Sequence, residues 1–491
     1  MNDKELMNRA ADNIRILSVA MVEKAKSGHP GGAMGGADFI NVLFSEFLIY
    51  DPSNPFWEGR DRFYLDPGHM SPMLYSVLAM QGKFTLEDLQ QFRQWGSVTP
   101  GHPERDIAHG IENTSGPLGQ GHTFAAGAAV AEKYLEAHLG HEVMQHKIYA
   151  FISDGGIQEE ISQGTGRLAG VLGLNNLIMF YDSNDVQLST NCDVVMREDT
   201  EMKYKSWGWN VITINGNDVD EIRKALTLAN QETERPTLII GKTIMAKGAV
   251  QADGTSYEGD FRTHGAPLGG DAYINTIKNL GGDVENPFVI YDDVAELYAK
   301  RNAELKEIVA KRQAIEKKWA AENPEKAAKM AEWFSGKAPN IDWSNLVQKP
   351  NSPTRVASAA CLGVLSEQVK NMIVSSADLC NSDRTDGFLK DTHNITRGDF
   401  SGAFFQAGVS ELTMACMCIG MYLHGGIIPA CGTFFVFSDY MKPAIRLAAL
   451  MQTPVKFVWS HDAFRVGEDG PTHQPIEQEA QIRLMEKLKN H

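Results

Sequence analysis

The chain has 491 residues, 43% of them hydrophobic and 22% charged, with a formal net charge of −16. At ~150 residues per domain that length suggests two to four domains of ordinary globular composition. The acidic balance argues against nonspecific nucleic-acid binding, which needs a basic surface, yet leaves room for an anionic small molecule in a locally positive pocket.

Residues 1–30 lack the basic, apolar and small-residue order of a signal peptide, and their apolar positions recur at helical spacing. No apolar run approaches the ~18 residues of a membrane span, so no membrane association is expected. Six cysteines are scattered, and only Cys416 and Cys418 are close, without zinc spacing. A disulfide framework is not expected, and the protein reads as reduced and cytoplasmic.

From residue 1 to about 280, helix-like and strand-like segments alternate. The apolar runs 147–153, 176–182, 210–216 and 236–244 predict strands with helix-length sequence between them. That alternation indicates βαβ units and a parallel sheet buried on both faces. Residues of about 297–333 predict a heavily charged helix, read as a solvated strut. Residues 335–354, rich in Pro, Ser and Asn, predict a linker.

The alternation then resumes. Helices are predicted over 354–368, 411–422 and 438–451, strands over 371–379, 426–437 and 454–462, and an amphipathic helix over 475–491. A doubly wound domain normally returns such a helix into another strand, so the second domain reads as incomplete. The expected fold is α/β, with two doubly wound domains whose mainly parallel sheets are flanked by helices. The expected division is 1–320, a helical and linker segment 321–354, and 355–491.

The stretch "YAFISDGGIQEE" (149–160) stops a buried strand on Asp154 and follows it with two glycines. Asn184 follows the next strand. If the strands are parallel neighbours, both side chains reach the carboxyl edge, where open α/β sheets bind ligands. A carboxylate and an amide oxygen suit Mg²⁺ or Ca²⁺, and Gly155 and Gly156 allow backbone to approach a phosphate. A strand-end Asx turn explains the same residues. The glycine-rich loop in "ENTSGPLGQGHTFAAGAA" (112–129) reads equally as an anion loop or a helix-packing turn. Five histidines, His29, His69, His102, His264 and His473, sit beside glycine or proline, and either line a common polar pocket or lie singly in surface turns. The loop 460–478 packs two histidines and several acids after a strand. Glu411 opens an apolar helix, where it either complements the helix dipole or carries a raised pKa.

Taken together, "KAKSGHPGG", "TPGHPE", "GPLGQG", "SDGG" with "YDSND", "THGAPLG", "GVSELTMA", "GTFFVFSDYMKPAIRLAALM" and "GEDGPTHQP" resemble transketolase, a thiamine-diphosphate enzyme family, nearly end to end. The resemblance implies a diphosphate-binding domain followed by a pyrimidine-binding domain. It places a divalent cation, Mg²⁺ or another such as Ca²⁺, on Asp154, Asn184 and the carbonyl of Val186. It places His69, Gly116, Leu118, Gly155 and His264 around the cofactor, chiefly its diphosphate, with Phe434 and Phe437 along the aminopyrimidine and Glu411 on its ring nitrogen. That glutamate would favour the tautomer whose exocyclic nitrogen generates the thiazolium ylide. His29, His264 and His473 match histidines that shuttle protons beside the reacting carbon. His102 and Asp469 match groups that read sugar hydroxyls, and Arg355, Ser382 and His461 match the phosphate-binding mouth.

The activity so implied is transfer of a two-carbon glycolaldehyde unit between sugar phosphates, in carbohydrate metabolism and the pentose phosphate pathway. 1-Deoxyxylulose-5-phosphate synthase is the related enzyme alternative. A non-catalytic cofactor-binding subunit is the alternative of another class. A homodimer is implied, with the site between subunits and Glu159 near the interface. Ser153 stands where the family has glycine, "PGHMSP" (67–72) departs from its usual pattern, and the sequence stops before the family's third domain. A fragment, or a subunit with a separate C-terminal chain, is therefore expected.

Overall fold

Both sheets of the computed structural model, which describes residues 2–462 and 464–485, are parallel throughout. One contains β1 (Arg62–Leu65), β2 (Ile148–Ser153), β3 (Leu177–Ser183), β4 (Asn210–Asn215) and β5 (Thr237–Lys242) in the order β1-β2-β3-β5-β4. The other contains β6 (Met372–Ser376), β7 (Phe404–Gln406), β8 (Ile428–Phe434) and β9 (Lys456–Ser460) in the order β7-β6-β8-β9. All residues of β2 and β3 are buried, as expected where helices cover both faces of a parallel sheet. At the sheet edge, β4 is only partly buried.

The helices that matter below are α1 (Lys4–Ala25), α2 (Gln120–Leu139), α3 (Asp154–Gln158), α4 (Glu160–Leu172), α5 (Asp292–Glu322), α6 (Pro324–Phe334), α7 (Thr354–Gln368), α8 (Glu411–His424), α9 (Ser438–Leu450) and α10 (Gln478–Met485). Asp3 caps α1 by accepting from the amides of Glu5 and Leu6. Among the described residues no helix is long and apolar enough to cross a membrane.

The chain forms two compact units. The first runs to His122 and includes His146–Glu160 and Asn175–Ala314; the second includes Thr123–Gln145, Ile161–Leu174 and the chain from Ile315 on. The five-stranded sheet belongs to the first unit. Its core stacks Phe39 on Phe180 at 3.8 Å, with Phe151 beside both rings. The four-stranded sheet belongs to the second. There α2 and α8 cross at backbone contact. A Cβ on Gly127 would lie 2.0 Å from the Met417 carbonyl oxygen, and one on Gly420 would lie 2.0 Å from that of Phe124.

Several expectations are corrected. The charged helix is two helices, because Pro324 has no N–H to continue α5 and instead opens α6. It is also more than a solvated strut: Val294, Leu297, Tyr298 and Leu305 of α5 lie in the first unit's core. The strand expected over 426–437 ends at Phe434, where its pairing with β9 ends, and Phe435–Phe437 form a single 3₁₀ turn into α9. The strand expected over 371–379 ends at Ser376 for the same reason, its last partners being Gln406 and Gly432. Strands β1 and β7, of four and three residues, escaped the sequence reading because runs so short carry no periodicity. The terminal helix is described as Gln478–Met485, and residues 486–491 of its expected span lie outside the described residues.

Candidate functional site

Strands β2 and β3 are parallel neighbours with Ser153 opposite Asp182, so Asp154 and Asn184 both follow strand ends at one carboxyl edge. Ser153 closes β2 and caps α3, its Oγ accepting the Gly156 amide at 3.3 Å. The departure from glycine thus supplies a cap and leaves the turn in place.

Asp154 is only 2% exposed. Its Oδ1 accepts the Tyr181 hydroxyl at 2.5 Å, and its Oδ2 accepts the amides of Asn184 and Asp185 at 3.2 and 3.0 Å. Burial pushes this carboxyl up to about 6. Among the described residues it has no basic partner. Asn184 turns its Oδ1 to the Val186 amide at 3.1 Å and donates from Nδ2 to buried Asp182 at 3.0 Å. Burial likewise pushes Asp182 up to about 7, and Thr243 donates its hydroxyl to it. A buried carboxylate with no counter-charge, beside an amide oxygen, is a fitting seat for a hard divalent cation. No group of three His, Cys, Asp or Glu among the described residues is placed to hold a metal. A cation here would therefore take mixed protein oxygens and complete its shell with oxygens of a ligand. A cavity of about 670 Å³ opens beside this edge, lined by Tyr181, Asn184, Asp185, Val186, Cys192 and Lys242 among others.

The glycine loop lies in the same unit. Gly116 has φ +151°, where a side chain would be strained, and the His102 ring lies 3.7 Å from the position of its missing Cβ. A Cβ on Gly155 would lie 2.9 Å from Leu118. Gly116, Leu118, Gly155 and His102 are thus brought together. Four of the five turn histidines also converge. The His29 ring is 5.2 Å from His69, 5.9 Å from His264 and 6.3 Å from His102, and His69 stacks on His264 at 5.2 Å. Burial holds all four below the ordinary histidine value, His29 at about 4, so they are neutral near pH 7. The Nδ1 atoms of His29 and His264 are buried without a hydrogen-bond partner. Buried polar atoms left open in this way suit a polar ligand.

The fifth histidine, His473, belongs to the second unit, with Glu411, Phe434, Phe437, Arg355, Ser382, His461 and Asp469. Glu411 is the first residue of α8, half-buried, and burial raises its carboxyl. Phe434 and Phe437 lie with near-parallel rings 5.9 Å apart. His461 stacks on Phe434 at 3.7 Å, and the His473 ring lies 5.3 Å from Phe437. Arg355 Nη1 donates to His461 Nε2 at 3.2 Å, and His461 Nδ1 meets Ser460 Oγ at 2.8 Å. Burial first, then the Arg355 guanidinium, hold His461 below its ordinary value. Asp469 and Asp383 pull His461 the other way. Half-buried Ser382 lies in the short helix Cys380–Asp383, and exposed Asp469 closes the turn Phe464–Asp469. Glu159 is exposed just after α3.

Sequence reading missed Tyr181 and Asp182, which bond Asp154 and Asn184 respectively. Tyr181 and Asp182 lie inside an apolar strand, and the polarity of "YDS" at its end was their only signal.

Two family models match the chain: "Transketolase, thiamine diphosphate binding domain" over residues 6–339 and "Transketolase, pyrimidine binding domain" over residues 351–490. The transketolase of Halalkalibacterium halodurans is 40% identical over 99% of this chain and 73% of its own length. That of Bacillus subtilis is 40% identical over 98% of this chain and 72% of its own. Among solved structures, transketolase from Leishmania mexicana superimposes with a TM-score of 0.93 at 35% identity, covering 98% of this chain and 72% of that one. Pichia stipitis transketolase in complex with sedoheptulose 7-phosphate superimposes at 0.92 and 33% identity, over 98% and 72%.

Proposed function

The chain belongs to the transketolase family, and on that premise we propose that it moves a two-carbon glycolaldehyde unit from a ketose phosphate, such as xylulose 5-phosphate, to an aldose phosphate, such as ribose 5-phosphate. The observation that carries this reading is the cluster of four neutral histidines, with open Nδ1 atoms on His29 and His264, in the unit that holds the Asp154–Asn184 edge. Thiamine diphosphate, when bound, supplies the electron sink for breaking the carbon–carbon bond.

The residues divide the remaining work. Asp154, Asn184 and the Val186 carbonyl would hold Mg²⁺ or another hard divalent cation. His69, Gly116, Leu118, Gly155 and His264 would line the diphosphate half, where close backbone approach and neutral imidazole donors suit phosphate oxygens. Phe434 and Phe437 offer a ring wall to the aminopyrimidine. Glu411, its carboxyl raised by burial, would hold a proton at the pyrimidine ring nitrogen. His29, His264 and His473 would take and return protons at sugar hydroxyls, a role that suits imidazoles able to donate or accept. His102 and Asp469 would read the hydroxyls. Arg355, Ser382 and His461 would hold the substrate phosphate, with the guanidinium as its charged anchor.

The domain division 1–320, 321–354 and 355–491 is part of this proposal and draws support from the two matched ranges. So are a homodimer, a place in the pentose phosphate pathway and a cytoplasmic location. None of the six cysteines is in a disulfide, which suits a reducing compartment.

The test compares turnover of xylulose 5-phosphate plus ribose 5-phosphate with that of pyruvate plus glyceraldehyde 3-phosphate. Turnover of the first pair is expected. Turnover of the second pair alone overturns the proposal in favour of a synthase. Cofactor binding without turnover of either pair leaves only the cofactor assignment standing.

A further inference from the structure

We infer that Asp66 is a positioning residue that preassembles the diphosphate half of the site, an inference that rests on the cofactor assignment above. Asp66 follows β1 and is fully buried, as is His122 at the start of α2. Its amide donates to the Phe151 carbonyl at 3.0 Å, which prolongs the pairing of β1 with β2. Its own carbonyl accepts the Gly68 amide at 2.9 Å and the Ser115 hydroxyl at 2.7 Å. Its carboxyl reaches further. Oδ1 accepts the Gly119 amide at 3.0 Å, and Oδ2 accepts both the amide and the Nδ1–H of His122, at 3.2 and 3.0 Å.

Three segments meet on this one residue, the first two through its main chain and the third through its carboxyl. The first is the sheet edge. The second is the turn that carries His69. The third is loop 115–122, which carries Gly116 and Leu118. The two side-chain-bonded amides belong to the start of α2, where the first N–H groups of a helix lack partners of their own. Asp66 therefore caps α2 from a distant strand and complements its dipole. His122 fixes the carboxyl in turn. Since Oδ2 can only accept from it, the ring proton sits on Nδ1, and Nε2 is buried without a partner. The hub reaches α3 as well, because a Cβ on Gly156 would lie 2.7 Å from Asp66 Oδ1. Asp66 thus packs against the glycine turn after Asp154 while holding the loop that meets Gly155 through Leu118. None of its bonds leads to a reacting group, so it acts through the loop.

The test uses the full chain and the variants Asp66→Ala, Asp66→Asn and Glu46→Gln. Glu46 forms an ion pair with Arg223 in the same unit, far in sequence from the loop, and controls for a general loss of stability. Thiamine diphosphate with Mg²⁺ is titrated calorimetrically. In cofactor-free protein, hydrogen exchange is followed at amides 115–122 and, as reference, in β5. Asp66→Ala is expected to weaken cofactor binding about tenfold or more, as loss of outer-shell supports does, and excess cofactor should restore turnover. Its loop amides should exchange faster while β5 keeps the parent rate. Asp66→Asn retains one acceptor oxygen, should show the same changes at smaller size, and carries the test if the alanine variant fails to fold. Glu46→Gln should lower the melting temperature and leave cofactor affinity unchanged. Parent-like loop exchange in the Asp66 variants, or cofactor affinity within about twofold of the parent, overturns the inference. If the parent itself binds no thiamine diphosphate, the cofactor assignment falls, and the exchange measurement alone still decides whether Asp66 organises the loop.

Discussion

Glu411 and Asp154 carry the same side-chain chemistry in different settings. Both are raised by burial, yet Asp154 is bonded to Tyr181 and two amides, whereas Glu411 begins a helix and is half-buried. A glutamate so placed can hold a proton against a ring nitrogen; a glutamine cannot exchange one. Glu411→Gln is expected to lower kcat by ~10²-fold or more while thiamine diphosphate affinity stays within severalfold. Steady-state kinetics beside calorimetry read both quantities, and near-parental kcat would remove Glu411 from its role. Asp154 and Asn184 were legible because a polar residue directly after a buried strand is a local signal. Asp66 was not. Its partners Gly119 and His122 lie 53 and 56 positions away, and nothing local distinguishes it from a turn aspartate. Ser153 could be located but not interpreted, since its capping bond to Gly156 needs the turn itself.

At the level of elements, hydrophobic periodicity placed β2, β3, β4 and β5 to within a residue or two at each end, and α7, α8 and α9 nearly as closely. It failed where pairing, rather than composition, ends an element, as at Phe434 and Ser376. It also misread α5, whose buried face is diluted among charges. The crossing of α2 on α8 shows what periodicity omits. The glycines of both helices stand in the sequence without a stated role, and only the structure shows Gly127 and Gly420 against backbone. Gly127→Ala should destabilise the protein by ~1–3 kcal/mol, the cost of forcing a methyl into a filled contact. Urea unfolding measures it, and a midpoint equal to the parent's would show that the crossing has slack.

For the molecule as a whole, the proposed homodimer makes a direct prediction. Sedimentation velocity at micromolar concentration should give a species of twice 54.1 kDa. A monomer under those conditions would remove the homodimer from the proposal. Large apolar side chains stand exposed on each unit, Trp95, Val194 and Val195 on the first and Val409, Tyr440 and Ile476 on the second. Apolar surface of this kind is where partner contacts form when it is contiguous.

By itself the sequence determined the α/β class, the parallel sheets, the family and the residue types at the Asp154–Asn184 edge. These follow from local composition and from motifs whose order along the chain survives without coordinates. Tertiary structure decided which residues meet. It drew four of the five turn histidines into one cluster and left His473 with the aromatic wall of the other unit. It divided the chain so that α2 and α4 begin in one unit and continue in the other. It also made Asp66 the support of a distant loop. The physical reason is common to all three. Burial, pairing and hydrogen bonding depend on contacts between residues far apart in the chain, and those contacts exist only once the chain has folded.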